Sequence, residues 1–233
     1  MKTILVTGSS GDIASSLIDG LDGRIYKIIG LDIKPSKSQL HQFYQWYKCD
    51  LSSSDSITEC LRHGIGARLE EIDTIVHLAG IYPNTPIEDY DCDLWDKVHD
   101  VNVKSLYLIV KYIVSRKTTQ LKNIVIVSST AAKTGSKDPA YSSSKAALIG
   151  LAKSLSVSLA DRNIRVNTVL PGIIDTSMSQ VQSKERKQFH KEKTLAKYIG
   201  KPHEVADVIT FLLDDRSSYI WGASIDVNGG MTL

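Results

Sequence analysis

Short apolar runs rich in Val, Ile and Leu alternate with longer segments of helical period from one end of the chain to the other. The strand-like runs are Thr3–Thr7, Tyr26–Leu31, Gln45–Cys49, Thr74–Leu78, Asn123–Ser128, Arg165–Leu170 and Ser224–Val227. Several are apolar without alternation, the pattern of parallel strands covered on both faces. The helical segments between them are Asp12–Leu21, Asp55–His63, Leu94–Arg116, Tyr141–Asp161 and Pro202–Leu213. A β-α-β-α rhythm of this kind predicts an α/β fold: a Rossmann-type, doubly wound parallel sheet with helices on both faces. Right-handed crossovers put the C-terminal ends of all strands along one edge, where ligands bind. No repeat or Pro/Gly-rich linker interrupts the pattern, so residues 1–233 are read as one domain.

One stretch departs from the rhythm. Residues Thr176–Lys197 carry Lys184, Arg186, Lys187, Lys191 and Lys193 and few core positions. The plain reading is a solvated helical excursion. The functional one is a lid over a site, with basic residues that favour an anionic substrate.

Composition changes this picture little. The chain has 233 residues, 42% of them hydrophobic, and a formal net charge of +2. That charge gives no reason to expect a nucleic-acid partner or an anionic membrane surface. Cys49, Cys60 and Cys92 form no CxxC pair, which argues against a disulfide framework and against a zinc site. No apolar run reaches the roughly eighteen residues of a membrane span, and Lys2-Thr3-Ile4-Leu5-Val6 does not read as a signal peptide. The cytoplasm is the expected compartment.

The first strand ends in Thr7-Gly8-Ser9-Ser10-Gly11-Asp12-Ile13-Ala14 and runs into a helix. Such a turn lays a pyrophosphate on the helix N-terminus, where N–H groups and the dipole favour negative charge. Two glycines alone are weak evidence, because glycine also serves ordinary tight turns. Asp32 adds weight. It ends the second strand, 21 residues after Gly11, where a dinucleotide site needs an acceptor for the adenosine ribose hydroxyls. A carboxylate there repels a 2′-phosphate, so NAD(H) is expected over NADP(H). Lys34 close by softens that expectation.

Tyr141-Ser142-Ser143-Ser144-Lys145 opens a long helix after Asp138-Pro139. Residues four apart share a helix face, so phenol and ammonium can meet in one site. A phenol titrates near 10, and a neighbouring ammonium lowers that value toward the range acid–base catalysis uses. An isolated pair would mean little. Its position after the fifth strand gives it meaning.

The ordered set resembles the short-chain dehydrogenase/reductases in their compact form, over essentially the whole chain. It comprises the glycine turn, Asp32, Cys49-Asp50-Leu51, His77-Leu78-Ala79-Gly80, Val101-Asn102-Val103 and Ile126-Val127-Ser128-Ser129. It continues with Tyr141 and Lys145, Pro171-Gly172-Ile173-Ile174-Asp175-Thr176 and Val227-Asn228-Gly229-Gly230. The resemblance implies Tyr141 as the acid/base, with Lys145 lowering its pKa and bonding the nicotinamide ribose. It implies a serine holding the substrate oxygen, and Asn102 as the helix residue whose backbone positions a water linking Lys145 to solvent. Gly8, Ser10, Gly11, Asp12 and Ile13 would line the pyrophosphate. Asp50 and Leu51 would flank the adenine, and Ala79 and Gly80 would pass along the cofactor. Pro171, Gly172, Ile174 and Thr176 would complete its carboxamide end. A homotetramer or homodimer is implied, pairing Leu94–Arg116 and Tyr141–Asp161.

Three departures stand out. The usual turn has glycine where Asp12 and Ala14 stand, and Gly8 and Gly11 are spaced as in the extended branch of the superfamily. Asp12 must point away from a pyrophosphate or weaken its binding. His77 replaces an asparagine and reads as a structural partner in the strand-four turn. The catalytic serine is Ser129 by the match of residues on both sides, although the common spacing to the tyrosine selects Ser128.

The reaction expected is interconversion of a secondary alcohol and a ketone with a nicotinamide cofactor. Within it, 3-oxoacyl thioesters, small alcohols and sugars or sugar acids stay open as substrates. An extended-branch epimerase or dehydratase is disfavoured by length. A regulatory protein that binds dinucleotide without turnover is disfavoured by Asn102, Ser129, Tyr141 and Lys145 occurring together.

Overall fold

The structure, a computed structural model, describes residues 1–36 and 41–232. Ile4, Leu5 and Val6 of β1 (Lys2–Thr7) are all fully buried, so both faces of the first strand are covered. The order along the chain is then α1 (Asp12–Gly20), β2 (Tyr26–Asp32), β3 (Tyr44–Lys48), α2 (Ser54–Glu59) and β4 (Ile72–His77). Next come α3 (Cys92–His99), α4 (Ser105–Val114), β5 (Asn123–Val127), α5 (Ala131–Thr134) and α6 (Pro139–Ser158). The chain continues with β6 (Arg165–Pro171), α7 (Lys184–Lys193), α8 (Pro202–Leu213) and β7 (Ser224–Val227). All seven strands pair in parallel in the order β3-β2-β1-β4-β5-β6-β7.

Successive strand residues face opposite sides, and the core divides accordingly. Leu5, Ile29, Ile75, Ile124 and Ile126 meet Leu106, Ile109 and Ile113 of α4 and Leu148 of α6. Ile4, Ile28, Val76 and Val125 meet Leu17 and Ile18 of α1 and Val205, Ile209 and Leu212 of α8. Ala14, the alanine in place of a turn glycine, fits this second layer and is 1% exposed. The strand order reverses between β1 and β4, which opens a crevice at the C-terminal ends of the strands.

Differences from the expected elements lie where side chains override periodicity. The expected single helix Leu94–Arg116 is two helices joined by a π-helical turn over Asp100–Lys104. At its centre Asn102 is pulled inward by partners outside the helix, and a widened turn accommodates that pull. The helix holding Tyr141 begins at Pro139, because the Asp138 carboxylate accepts the Tyr141 N–H at 2.8 Å and Pro139 takes the first turn. The charged excursion contains a 3-10 turn, Ser177–Val181, and α7, whose N-cap Ser183 accepts the Arg186 N–H. Among the described residues no helix is long and apolar enough to cross a membrane.

Candidate active site

The turn after β1 is shaped by Gly8. Its φ is +67°, and a Cβ there would lie 2.7 Å from the Ala79 nitrogen. Only glycine allows β1 and the β4 turn to approach so closely. Gly11 then caps α1 without a side-chain acceptor, so the first-turn N–H groups are left for another partner. Gly8, Gly11, Asp12 and Ile13 line one end of a cleft that continues over Tyr141 and Lys145.

Asp32 stands at the end of β2 with both carboxylate oxygens engaged. Oδ2 accepts the Ser10 N–H at 3.0 Å and Oδ1 the Lys34 N–H at 3.1 Å. The turn and the carboxylate are thereby fixed to one another. Asp50 folds back on its own loop, accepting the Ser52 N–H and hydroxyl, and the Leu51 side chain is buried in the core beside Ile57. Neither lines the cleft.

The Asp12 carboxylate is engaged across the cleft by Ser177. Its Oδ2 accepts the Ser177 N–H at 2.6 Å and the Ser177 hydroxyl at 2.7 Å. The carboxylate therefore ties the head of α1 to the segment that follows β6.

Tyr141 and Lys145 lie on the cleft-facing side of α6, with the Lys145 Nζ 5.7 Å from the tyrosine ring centroid. The ammonium donates to the Val127 carbonyl at 3.0 Å and is nearly buried. Burial lowers the lysine to about 8. Burial also pushes the Tyr141 phenol up to about 12, and a hydrogen bond with the Ser129 hydroxyl acts downward against it. Burial outweighs the Ser129 bond in setting the phenol. The two candidate serines follow the end of β5 and both line the cleft, but they bond differently. Ser129 reaches Tyr141, whereas Ser128 donates to the Lys145 backbone carbonyl at 2.6 Å.

Asn102 sits behind this pair and does not line the cleft. Its Oδ1 accepts the Ile81 N–H at 2.8 Å, and its Nδ2 donates to the Ser144 hydroxyl at 2.9 Å. Its backbone carbonyl accepts from His77 Nε2 at 3.1 Å. His77 Nδ1 in turn meets the Thr7 hydroxyl at 2.8 Å. A carbonyl only accepts, so the proton is on Nε2. Burial holds the ring neutral, down to about 3. His77 is a strut between β1, β4 and the π-helical turn.

The other expected residues divide. Gly80, Pro171, Gly172, Ile174 and Thr176 line the cleft, and Ala79 is buried behind it, its N–H donating to the Thr7 hydroxyl. Gly80 leaves room for the lysine, since a Cβ there would lie 3.1 Å from Lys145 Nζ. Gly172 lets the Asn228 loop close in, with a Cβ there 2.9 Å from the Asn228 Cα. Sequence reasoning did not assign Asp138, whose carboxylate also accepts from the Tyr90 hydroxyl and the Thr85 N–H. Its position just before a proline at the helix start was the available signal. Tyr82 packs edge-on against Tyr141, ring centroids 4.8 Å apart, and lines the cleft together with Met178. Trp95 is instead stacked on His99, away from it.

A parallel sheet with a glycine turn at its order switch, facing a tyrosine–lysine pair in the cleft, defines a nucleotide-dependent oxidoreductase. Comparison with known proteins agrees. Residues 31–232 match the family model described as Enoyl-(Acyl carrier protein) reductase. A 3-oxoacyl-[acyl-carrier-protein] reductase FabG of Aquifex aeolicus (strain VF5) is 34% identical over 99% of this chain and 87% of its own length. A solved short chain dehydrogenase family protein from Francisella tularensis superposes with a TM-score of 0.88 at 30% identity, covering 99% of this chain and 98% of that one. A 4-hydroxyisoleucine dehydrogenase complexed with NADH gives a TM-score of 0.88 at 26% identity, over 100% and 99%. The chain belongs to the short-chain dehydrogenase/reductase family.

Proposed function

We propose that this protein interconverts a ketone and a secondary alcohol with NAD(H), with Tyr141 handing the proton to the substrate oxygen. The observation that carries this reading is the half-buried Tyr141 phenol facing the cleft, bonded to the Ser129 hydroxyl and beside Lys145. Carbonyl reduction consumes the phenol in its protonated form, and alcohol oxidation needs the phenolate. The residues fit a dinucleotide: Gly8 and the uncapped head of α1 suit a pyrophosphate, and Asp32 suits ribose hydroxyls.

In this reading Gly8, Gly11 and Ile13 hold the phosphates, with Ser10 and Asp32 at the ribose. Pro171, Gly172, Ile174 and Thr176 enclose the nicotinamide end. Bound there, the dinucleotide supplies the hydride. Ser129 orients the substrate carbonyl, Tyr141 gives it a proton, and Lys145 stabilises the phenolate left behind. Asn102 positions the Ile81 peptide and α6. The chain would assemble as a homotetramer or homodimer through α4 and α6, where Tyr107 and Val157 are exposed.

A second reading, reduction of 3-oxoacyl thioesters, is favoured by the name of the Aquifex aeolicus relative. Initial rates with NADH and NADPH on 3-oxoacyl thioesters and small ketones test both. The expected result is turnover with kcat/KM at least about tenfold higher for NADH, falling in Asp32→Ser. An NADPH preference unaltered by Asp32→Ser would remove the cofactor assignment.

A further inference from the structure

The roof of the cleft carries polar groups that the proton-transfer centre does not use. Of the basic residues along the charged excursion, only Arg186 and His190 line the cleft; Lys184, Lys187, Lys191 and Lys193 do not. Four positions apart on α7, the two share one face of that helix. The Arg186 guanidinium has no hydrogen bond or ion pair with any described residue. His190 Nδ1 and Gln182 Oε1 are buried without a partner, and Gln182 lines the same cleft. Three polar side chains therefore line one cleft with their capacity unspent, and buried polar groups are normally satisfied.

The charge there is also unbalanced. Asp12 is the one carboxylate lining the cleft among the described residues, and it is engaged by Ser177. Arg186 and Tyr82 line the same cleft. The Tyr82 ring packs on Tyr141, and its phenol lies close enough to Arg186 to feel its charge. Arg186 thus belongs to the Tyr141 side of the cleft rather than to the glycine turn.

We infer that the substrate is an oxo acid or hydroxy acid whose carboxylate, remote from the reacting carbon, is received by Arg186 with help from His190 and Gln182. A guanidinium fork matches a carboxylate in a bidentate pair. The neutral His190 ring adds a donor through its Nδ1 tautomer, and the Gln182 amide presents its NH2 after half a turn about its last bond. One permanent cation and two neutral groups balance a monoanion better than a phosphate dianion. This assignment rests on the oxidoreductase reading above and names its substrate class.

The test compares short oxo acids with their methyl esters, which keep the skeleton and remove the charge. The wild-type protein is expected to favour the acid in kcat/KM by at least about tenfold, mostly through KM, and Arg186→Met to bring the ratio to within about threefold of unity, with Arg186→Lys in between. Equal use of acid and ester by the wild type, or an acid preference that survives Arg186→Met, overturns the inference. Calorimetric titration of the same acids and esters into protein saturated with NADH separates the two readings. Acid binding that depends on Arg186 without turnover of any carbonyl supports the carboxylate site and removes the oxidoreductase reading. Turnover with no discrimination between acid and ester does the reverse, and absence of both binding and turnover overturns the carboxylate site as well.

Discussion

The Asp12 carboxylate at the head of α1 accepts two hydrogen bonds from Ser177, 165 residues further along the chain. A negative charge that would oppose a pyrophosphate is thereby turned into a fastening between the glycine turn and the excursion carrying Arg186. Asp12→Ala is expected to increase hydrogen exchange and proteolytic cleavage within 177–193 by about tenfold, since charge-assisted hydrogen bonds each contribute about 1.5–3 kcal/mol before solvent screening. Unchanged protection of that segment would show that the contact does not hold it.

Ser128 and Ser129 separate structural from chemical roles on adjacent residues. Ser129→Ala removes the hydroxyl at the Tyr141 phenol and is expected to lower kcat by about a hundredfold, the scale of one positioned donor at a reacting oxygen. Ser128→Ala leaves the Lys145 backbone carbonyl without its 2.6 Å donor. It should cost about 1 kcal/mol in denaturant unfolding while keeping most of the turnover. The opposite ranking in kcat would exchange the two roles.

Lys145 makes folding depend on alkaline pH. Burial brings it from an ordinary value of 10.5 to about 8. Between these values the unfolded chain holds a proton that the folded protein has lost, so stability rises with pH across the window. The rise is at most about 3 kcal/mol. In Lys145→Met this rise should vanish, and the variant should be no less stable than the wild type at pH 7. Equilibrium denaturation at pH 7, 8 and 9.5 measures it, and an identical slope in the variant would exclude Lys145 as its source.

How much of this was legible in the sequence follows from which interactions are local. Strand runs such as Ile4-Leu5-Val6 announce themselves because both faces are buried, and the parallel sheet follows from their alternation with helices. The Gly8 turn, Asp32 and the Tyr141/Lys145 spacing are local signals too. What escaped depends on contacts across the chain. The break in the helix at Asp100–Lys104 comes from Ile81, Ser144 and His77 gripping Asn102. The rise of the Tyr141 phenol comes from burial, which a four-residue spacing does not report. That Arg186 faces the cleft while Lys184, Lys187, Lys191 and Lys193 do not depends on how α7 docks. Composition alone makes these five residues equivalent.

Tyr141→Phe tests whether Tyr141 transfers the proton. This substitution keeps the ring against Tyr82 and removes only the hydroxyl. Steady-state reduction of any carbonyl substrate the wild type accepts should fall by about a thousandfold in kcat, with NADH affinity by fluorescence titration held within about threefold. Turnover within about tenfold of the wild type, at equal NADH affinity, would mean that another group transfers the proton.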